Sequence, residues 1–139
     1  MFTLFSGNEE DLKNMITWMN SRFRSIKFTC NYDFQDKSVE YLDVKVSIRN
    51  TKIITNMYRK PMATNSYLLK SSCHPNHVTN NIPYGLALRI KMICSEKESF
   101  EKEVQKLKSM LVKRNYKAKN VELLFDKVRK MDRKDILRV

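Results

Sequence analysis

The sequence predicts an α+β fold: a small antiparallel sheet with one packed helix, followed by an all-α subdomain of three helices. Three observations carry the prediction. From about residue 26 to 60, apolar residues mostly fall at every second position, the period of a half-buried strand. From residue 82 onward they recur every three or four positions, the period of a helix. Charge divides the chain in the same way. Of a net charge of +12, residues 1–60 hold 10 basic and 7 acidic residues, or +3, and residues 61–139 hold 17 and 8, or +9. The expected units are 1–61 and 62–139.

Composition narrows the class. The 139 residues are 42% apolar and 30% charged, which suits a folded chain. With 2 Gly and 3 Pro, long flexible linkers are not expected. No apolar run reaches the length of a membrane span, and Met-Phe-Thr-Leu-Phe-Ser at the start lacks the basic flank of a signal peptide. Cys30, Cys73 and Cys94 are odd in number and widely spaced, which points to reduced thiols inside the cell, with the nucleus as one compartment. A strongly basic second half favours polyanions, nucleic acid first.

The elements follow in order. Residues 2–6 alternate as a short strand, which would be an open edge of an incomplete sheet. Asn8 can cap a helix whose first turn holds Glu9, Glu10 and Asp11, where the helix dipole favours acids. Leu12, Met15, Ile16, Met19 and Phe23 form one stripe, expected to pack on the sheet. Ile26, Phe28, Cys30 and Tyr32 alternate with polar residues as a strand, with Cys30 facing the core. A second strand is expected over 39–48, with Leu42, Val44, Val46 and Ile48 on one face. Asn50-Thr51 makes a hairpin turn, and 52–60 return as a third strand that Pro61 ends.

A polar loop leads to a helix starting at Asn81 or Ile82, with Pro83 in its first turn, where a missing N–H does no harm. Leu86, Ile90 and Ile93 are its expected stripe. Ser95 and Glu98 fit a capping box, and Glu98 and Lys102 a favourable i,i+4 pair. The next helix should bury Phe100, Val104, Leu107 and Leu111 and end near Arg114, with Asn115 in the left-handed conformation. A last helix over 119–131 carries Val121, Leu124, Phe125 and Val128, and a basic end that also suits the helix dipole.

Few constellations carry chemistry. Two-metal nucleotidyl transfer needs paired carboxylates. No Asp-Asp occurs, and Asp33, Asp36 and Asp43 read as turn or strand-face acids, so no enzyme activity is expected. Cys73, His74, His77 and Cys94 could ligate zinc, but their spacing matches no standard finger; the competing reading is a shaped loop with Cys73 packed inward. Cys73 with His77 lacks a third group to orient a thiol nucleophile. Two glycines cannot form a phosphate-cradling loop. No cofactor, metal, membrane or small-molecule substrate is therefore expected. Arg89, Lys91, Lys102, Lys106, Lys113, Arg114, Lys117 and Lys119 fall off the apolar stripes and could line a phosphate-facing groove, to which Arg59 and Lys60 are added. Base readout finds little support, because no helix start gathers Arg, Asn and Gln.

Several words in order resemble the C-terminal part of a Penelope-like retroelement reverse transcriptase. They are Phe2-Thr3-Leu4-Phe5-Ser6-Gly7, Ile26-Lys27-Phe28-Thr29, Tyr41-Leu42-Asp43-Val44, Met57-Tyr58-Arg59-Lys60-Pro61, Ser71-Ser72-Cys73-His74-Pro75 and Ile82-Pro83-Tyr84-Gly85-Leu86-Ala87-Leu88-Arg89-Ile90. The run continues through Ile93-Cys94-Ser95, Phe100-Glu101-Lys102 and Leu111-Val112-Lys113-Arg114-Asn115-Tyr116, so it covers nearly the whole chain. The second half is also similar to the helix-turn-helix-type domain of animal proteins of this kind. The resemblance implies that residues 1–60 are the end of a polymerase palm, whose Tyr-x-Asp-Asp strand would lie just upstream of Phe2. It implies that the hairpin over 39–60 is similar to a primer grip, and that the helices from Ile82 are a thumb holding a DNA or RNA–DNA duplex along its backbone. A Gly-Ile-Tyr/Tyr-Ile-Gly nuclease often follows in the family. Asn115 and Thr51 stand where glycine would be expected. The expected protein is thus a truncated, non-catalytic reverse-transcriptase-like fragment that binds nucleic acid. The alternatives are a repurposed helix-turn-helix DNA-binding protein or a vestigial protein-interaction module.

Overall fold

The structure is a computed structural model and describes residues 5–62, 64 and 66–138. It is an α+β fold, with three antiparallel strands in the order β1-β2-β3 followed by a helical part.

Helix α1 (Glu9–Arg22) begins as expected. Asn8 accepts from the Asp11 backbone at 2.8 Å, and Asp11 accepts in return from the Asn8 backbone at 3.1 Å, which satisfies two end donors at once. The helix does not pack its stripe on the sheet. Of that stripe Leu12 is buried, whereas Met15 and Phe23 are exposed. The expected strand over residues 26–32 has no strand partner among the described residues, and Cys30 is exposed rather than in the core. Alternation there is satisfied by a different neighbour. Asn20 of α1 accepts from the Phe28 N–H at 2.6 Å and donates to its carbonyl at 3.1 Å, doing with one amide what a neighbouring strand would do. The Tyr32 hydroxyl reaches Glu9 at 3.3 Å, so the segment lies along α1. The strand expected at 2–6 falls mostly outside the described residues, and Phe5 and Ser6 are in no strand.

The single strand expected over 39–48 is two: β1 (Ser38–Tyr41) and β2 (Val44–Arg49). The chain reverses at Leu42-Asp43, with Tyr41 opposite Val44 and Leu42 at φ 55. A two-residue turn moves the inward face from odd to even positions, and apolar Leu42 within the turn extends the even pattern of Val44, Val46 and Ile48 across the break, which hides it. β3 (Lys52–Met57) returns through Asn50-Thr51, both at positive φ, as a type I′ hairpin requires.

The outer edge of β3 is covered by the helical part. The Ser95 N–H donates to the Thr55 carbonyl at 2.9 Å, the Thr55 N–H donates to Ser95 Oγ at 3.0 Å, and Thr55 Oγ1 donates to the Ile93 carbonyl at 2.6 Å. Ser95 is thereby taken from the capping box expected of it. Glu96 occupies the N-cap instead, without a side-chain cap. Glu98 and Lys102 form no pair. Edge closure of this kind prevents a strand from templating further pairing.

Helix α2 (Asn76–Ile93) starts a turn and a half earlier than the proline suggested, leaving Pro83 inside it. A mid-helix proline removes one backbone bond. Here its ring is buried on the same face as Thr79, Ala87 and Ile90, and that packing offsets the loss. The expected stripe is rotated accordingly, and Leu86 and Ile93 are half-buried. Helix α3 (Lys97–Val112) buries Phe100, Val104, Leu107 and Leu111, as its periodicity predicts. It ends in a Schellman motif: the Tyr116 N–H donates to the Leu111 carbonyl, the Asn115 N–H to that of Val112, and Asn115 has φ 66. Helix α4 (Ala118–Lys130) adds Val121, Phe125 and Val128 to the same dry core, with Leu124 half-buried. A short α5 (Arg133–Ile136), absent from the sequence expectation, packs on α2, where Arg133 donates to the Met92 carbonyl. No helix among the described residues is long and apolar enough to cross a membrane.

Candidate nucleic-acid interface

The acids of the helical part fall outside the stretch that joins α3 to α4. Residues 104–121 contain six basic residues and no acid. Of the six, Lys106 pairs with Glu103 at 2.7 Å and Lys108 with Glu122 at 2.5 Å. Arg129 on α4 binds Glu101, Glu122 and Asp126 together. Hydrogen bonds that the Arg129 guanidinium donates to these carboxylates hold its pKa well above the ordinary range, Glu101 foremost. Lys108 and then Arg129 hold the Glu122 carboxyl below its own. This network is partly buried and clasps α3 to α4.

Among the described residues, Lys113, Arg114, Lys117 and Lys119 have no ion-pair partner. All four sit in the α3–α4 turn or the first turn of α4, because the left-handed Asn115 brings the chain straight back on itself. Lys117 is the N-cap of α4 and makes no side-chain cap bond, and α4 has no acid in its first turn. The backbone donors at that end therefore add to the positive field of the lysines.

Other residues predicted for the site are used differently. Arg59 forms an ion pair with Glu103 at 2.6 Å, with side chains only 18% and 13% exposed, and so joins β3 to α3 instead of facing solvent. Arg89 pairs with Asp43 in the β1–β2 turn. The Lys91 ammonium lies 4.7 Å from the centre of the Phe100 ring, a cation–π contact over the core. Arg59 and Arg89 thus tie the sheet region to the helices, and Lys91 lies over the bundle core. Lys60 and Lys102 are exposed, away from the turn.

The turn opens onto a groove of about 650 Å³ between α2 and α4. Lys70, Lys117 and Lys127 stand around it, with Asn80, Asn81, Asn115 and Asn120, and Pro83, Tyr116, Val121, Leu123 and Leu124 complete the lining. Among the described residues no carboxylate lines it. A shallower hollow of about 350 Å³ on the other side of α4 includes Lys119 but also Glu122 and Asp126, which oppose an anion. Lys70 is held in place by three bonds: its N–H donates to the Arg114 carbonyl, and its ammonium donates to Thr79 Oγ1 at 2.8 Å and Asn80 Oδ1 at 2.6 Å. The Tyr116 hydroxyl is buried without a hydrogen-bond partner, and burial raises its pKa. Sequence reasoning missed Lys70, Lys127 and the asparagines, because they come from three separate segments that only the packed bundle brings together.

The soft-ligand candidates do not converge. Cys94 is in the core, where burial raises its thiol pKa, whereas Cys73 is exposed rather than packed inward. His74 Nδ1 lies 2.7 Å from Ser72 Oγ. Among the described residues no group of His, Cys, Asp and Glu could hold a metal ion.

No curated protein and no solved structure matches the chain. Residues 66–125, which hold α2, α3, the basic turn and the first half of α4, match the family described as the animal helix-turn-helix domain.

Proposed function

We propose that the chain binds nucleic acid through its helical part, chiefly by contacts of the α3–α4 turn with phosphates, and that it catalyses no nucleotide transfer itself. The observation that carries this is the set of four cations, Lys113, Arg114, Lys117 and Lys119, which have no ion-pair partner among the described residues and stand at one turn beside a helix end without a side-chain cap. Helix N-termini and lysines both favour phosphate. The match of residues 66–125 to a helix-turn-helix family supports the reading, since such domains are built to dock on nucleic acid. In its finer form, the proposal takes residues 1–61 as the end of a reverse-transcriptase-like palm and 62–139 as a thumb-like unit on a DNA or RNA–DNA duplex inside the cell. The ordered words shared with Penelope-like reverse transcriptases support that form.

Binding of a labelled DNA duplex and of an RNA–DNA hybrid, followed by anisotropy across salt, tests the proposal. A slope in log K against log salt of about −3 to −5 is expected. Replacing Lys113, Lys117 and Lys119 with Gln should flatten it by roughly 0.9 for each phosphate that a lysine no longer neutralises. Salt-independent binding, or no retention on duplex at low salt, would overturn the proposal and favour a protein-interaction role. The family match favours one second reading, a sequence-specific DNA-binding protein, which a competition between unrelated duplexes would reveal as a preference.

A further inference from the structure

We infer that the groove between α2 and α4 is a nucleobase subsite, taking an unpaired base from a single-stranded segment. The inference rests on the nucleic-acid reading above and carries it from backbone to base. A track for phosphates needs only cations. This groove has, in addition, an apolar floor in which Leu123 is 57% exposed beside Pro83 and Val121. Such a floor does nothing for a phosphate and is what the face of a base packs on. It also has amides in excess: of the 12 asparagines in the chain, four line this one groove. Among the described residues, the side chains of Asn81 and Asn120 have no hydrogen-bond partner. A phosphate only accepts, whereas a base edge both donates and accepts, as an amide does. The shape agrees. A duplex keeps its base edges at the bottom of its own grooves, where a protruding element must reach them, while a concavity receives a group that projects from its strand, as an unstacked base does. Lys117 at the rim would hold the flanking phosphate.

The test compares three probes on the full chain at low salt: a short single-stranded oligodeoxynucleotide, an abasic strand with the same number of phosphates, and a duplex. The base-bearing strand should bind roughly tenfold tighter than the abasic one. The double variant Asn81→Ala with Asn120→Ala, and separately Leu123→Glu, should bring that ratio close to one. All three positions are exposed, and a thermal melt checks that the variants remain folded. Equal binding of abasic and base-bearing strands overturns the subsite while leaving the phosphate reading in place. A ratio that survives both variants overturns it too, because the base would then be held elsewhere. If neither strand nor duplex binds, the phosphate reading fails and the subsite with it.

Discussion

Helices α1 and α3 both carry an apolar stripe at helical spacing, and only α3 keeps its stripe dry. Phe100, Val104, Leu107 and Leu111 are all shielded, because α2, α4 and β3 each offer a face to α3. On α1, Leu12 alone is buried, and Trp18 is 57% exposed with the Arg22 guanidinium 4.4 Å from its ring centre. The neighbour of α1 is a single extended segment tied by Asn20, which has no ladder of its own and covers little. Periodicity announces a face, but burial depends on how many other faces can close on it at once. In the helical part α2, α3 and α4 close on one another, and β3 packs against α2 and α3. The segment from 5 to 34 has two such elements.

The sharpest way to break this contrast is a pair of truncations. Phe125→Ala, at a fully buried position of α4, should destabilise the fold by about 3–5 kcal/mol in urea titrations. Trp18→Ala should change the same midpoint by no more than about 0.5 kcal/mol despite deleting a larger side chain. Comparable losses would mean that the two regions share one cooperative core.

Next in size is the clasp between α3 and α4. Arg129→Met leaves Glu101, Glu122 and Asp126 facing each other and should cost about 1–2 kcal/mol at neutral pH. The effect should depend on pH. The Glu122 carboxyl is held below 4.5 in the fold by Lys108 and Arg129. Its contribution is therefore present above about that value and is lost as pH falls through the depressed folded pKa. The gap between wild type and variant should narrow below pH 4.5, read from thermal melts across pH.

A smaller effect tests how the sheet is fastened. Thr55→Val keeps the shape but removes the bond from Thr55 Oγ1 to the Ile93 carbonyl, and should lower stability by about 1 kcal/mol. Amide exchange of β3 should rise before that of α3. Smallest of all are two stabilising changes. Thr51→Gly and Asn115→Gly relieve positive φ, at 65 and 66, and each should raise the melting midpoint by an amount worth a few tenths to about 1 kcal/mol. Thr51, being β-branched, should benefit more than Asn115.

Much of the fold was legible. The capping of α1 by Asn8, the Asn50-Thr51 hairpin, the four-residue stripe of α3 and the left-handed Asn115 all depend on neighbours within a few positions, and short-range chemistry decides them. The misreadings share one cause. Residues 26–32 have a strand pattern, but a strand exists only with a partner, and Asn20 intervened. Ser95 has capping-box chemistry, but the open edge of β3 claimed its hydroxyl and its N–H. Pro83 marks a helix start by local rule, but its buried ring made a helix interior tolerable. Of the residues named for the interface, Lys113, Arg114, Lys117 and Lys119 converge at one turn, because they are near in sequence. Arg59, Arg89 and Lys91 were indistinguishable from them by charge alone and are committed to Glu103, Asp43 and the Phe100 ring.

By itself the sequence determined the two classes of element, the turns and the excess of positive charge in the second half, because periodicity, turn chemistry and net charge are sums over local residues. Tertiary structure alone decided which cations stay free and which asparagines share a groove with Lys70 and Lys127. Both depend on which side chains are brought within bonding distance from positions tens of residues apart, and only the packing of α2, α3 and α4 around one core sets those distances.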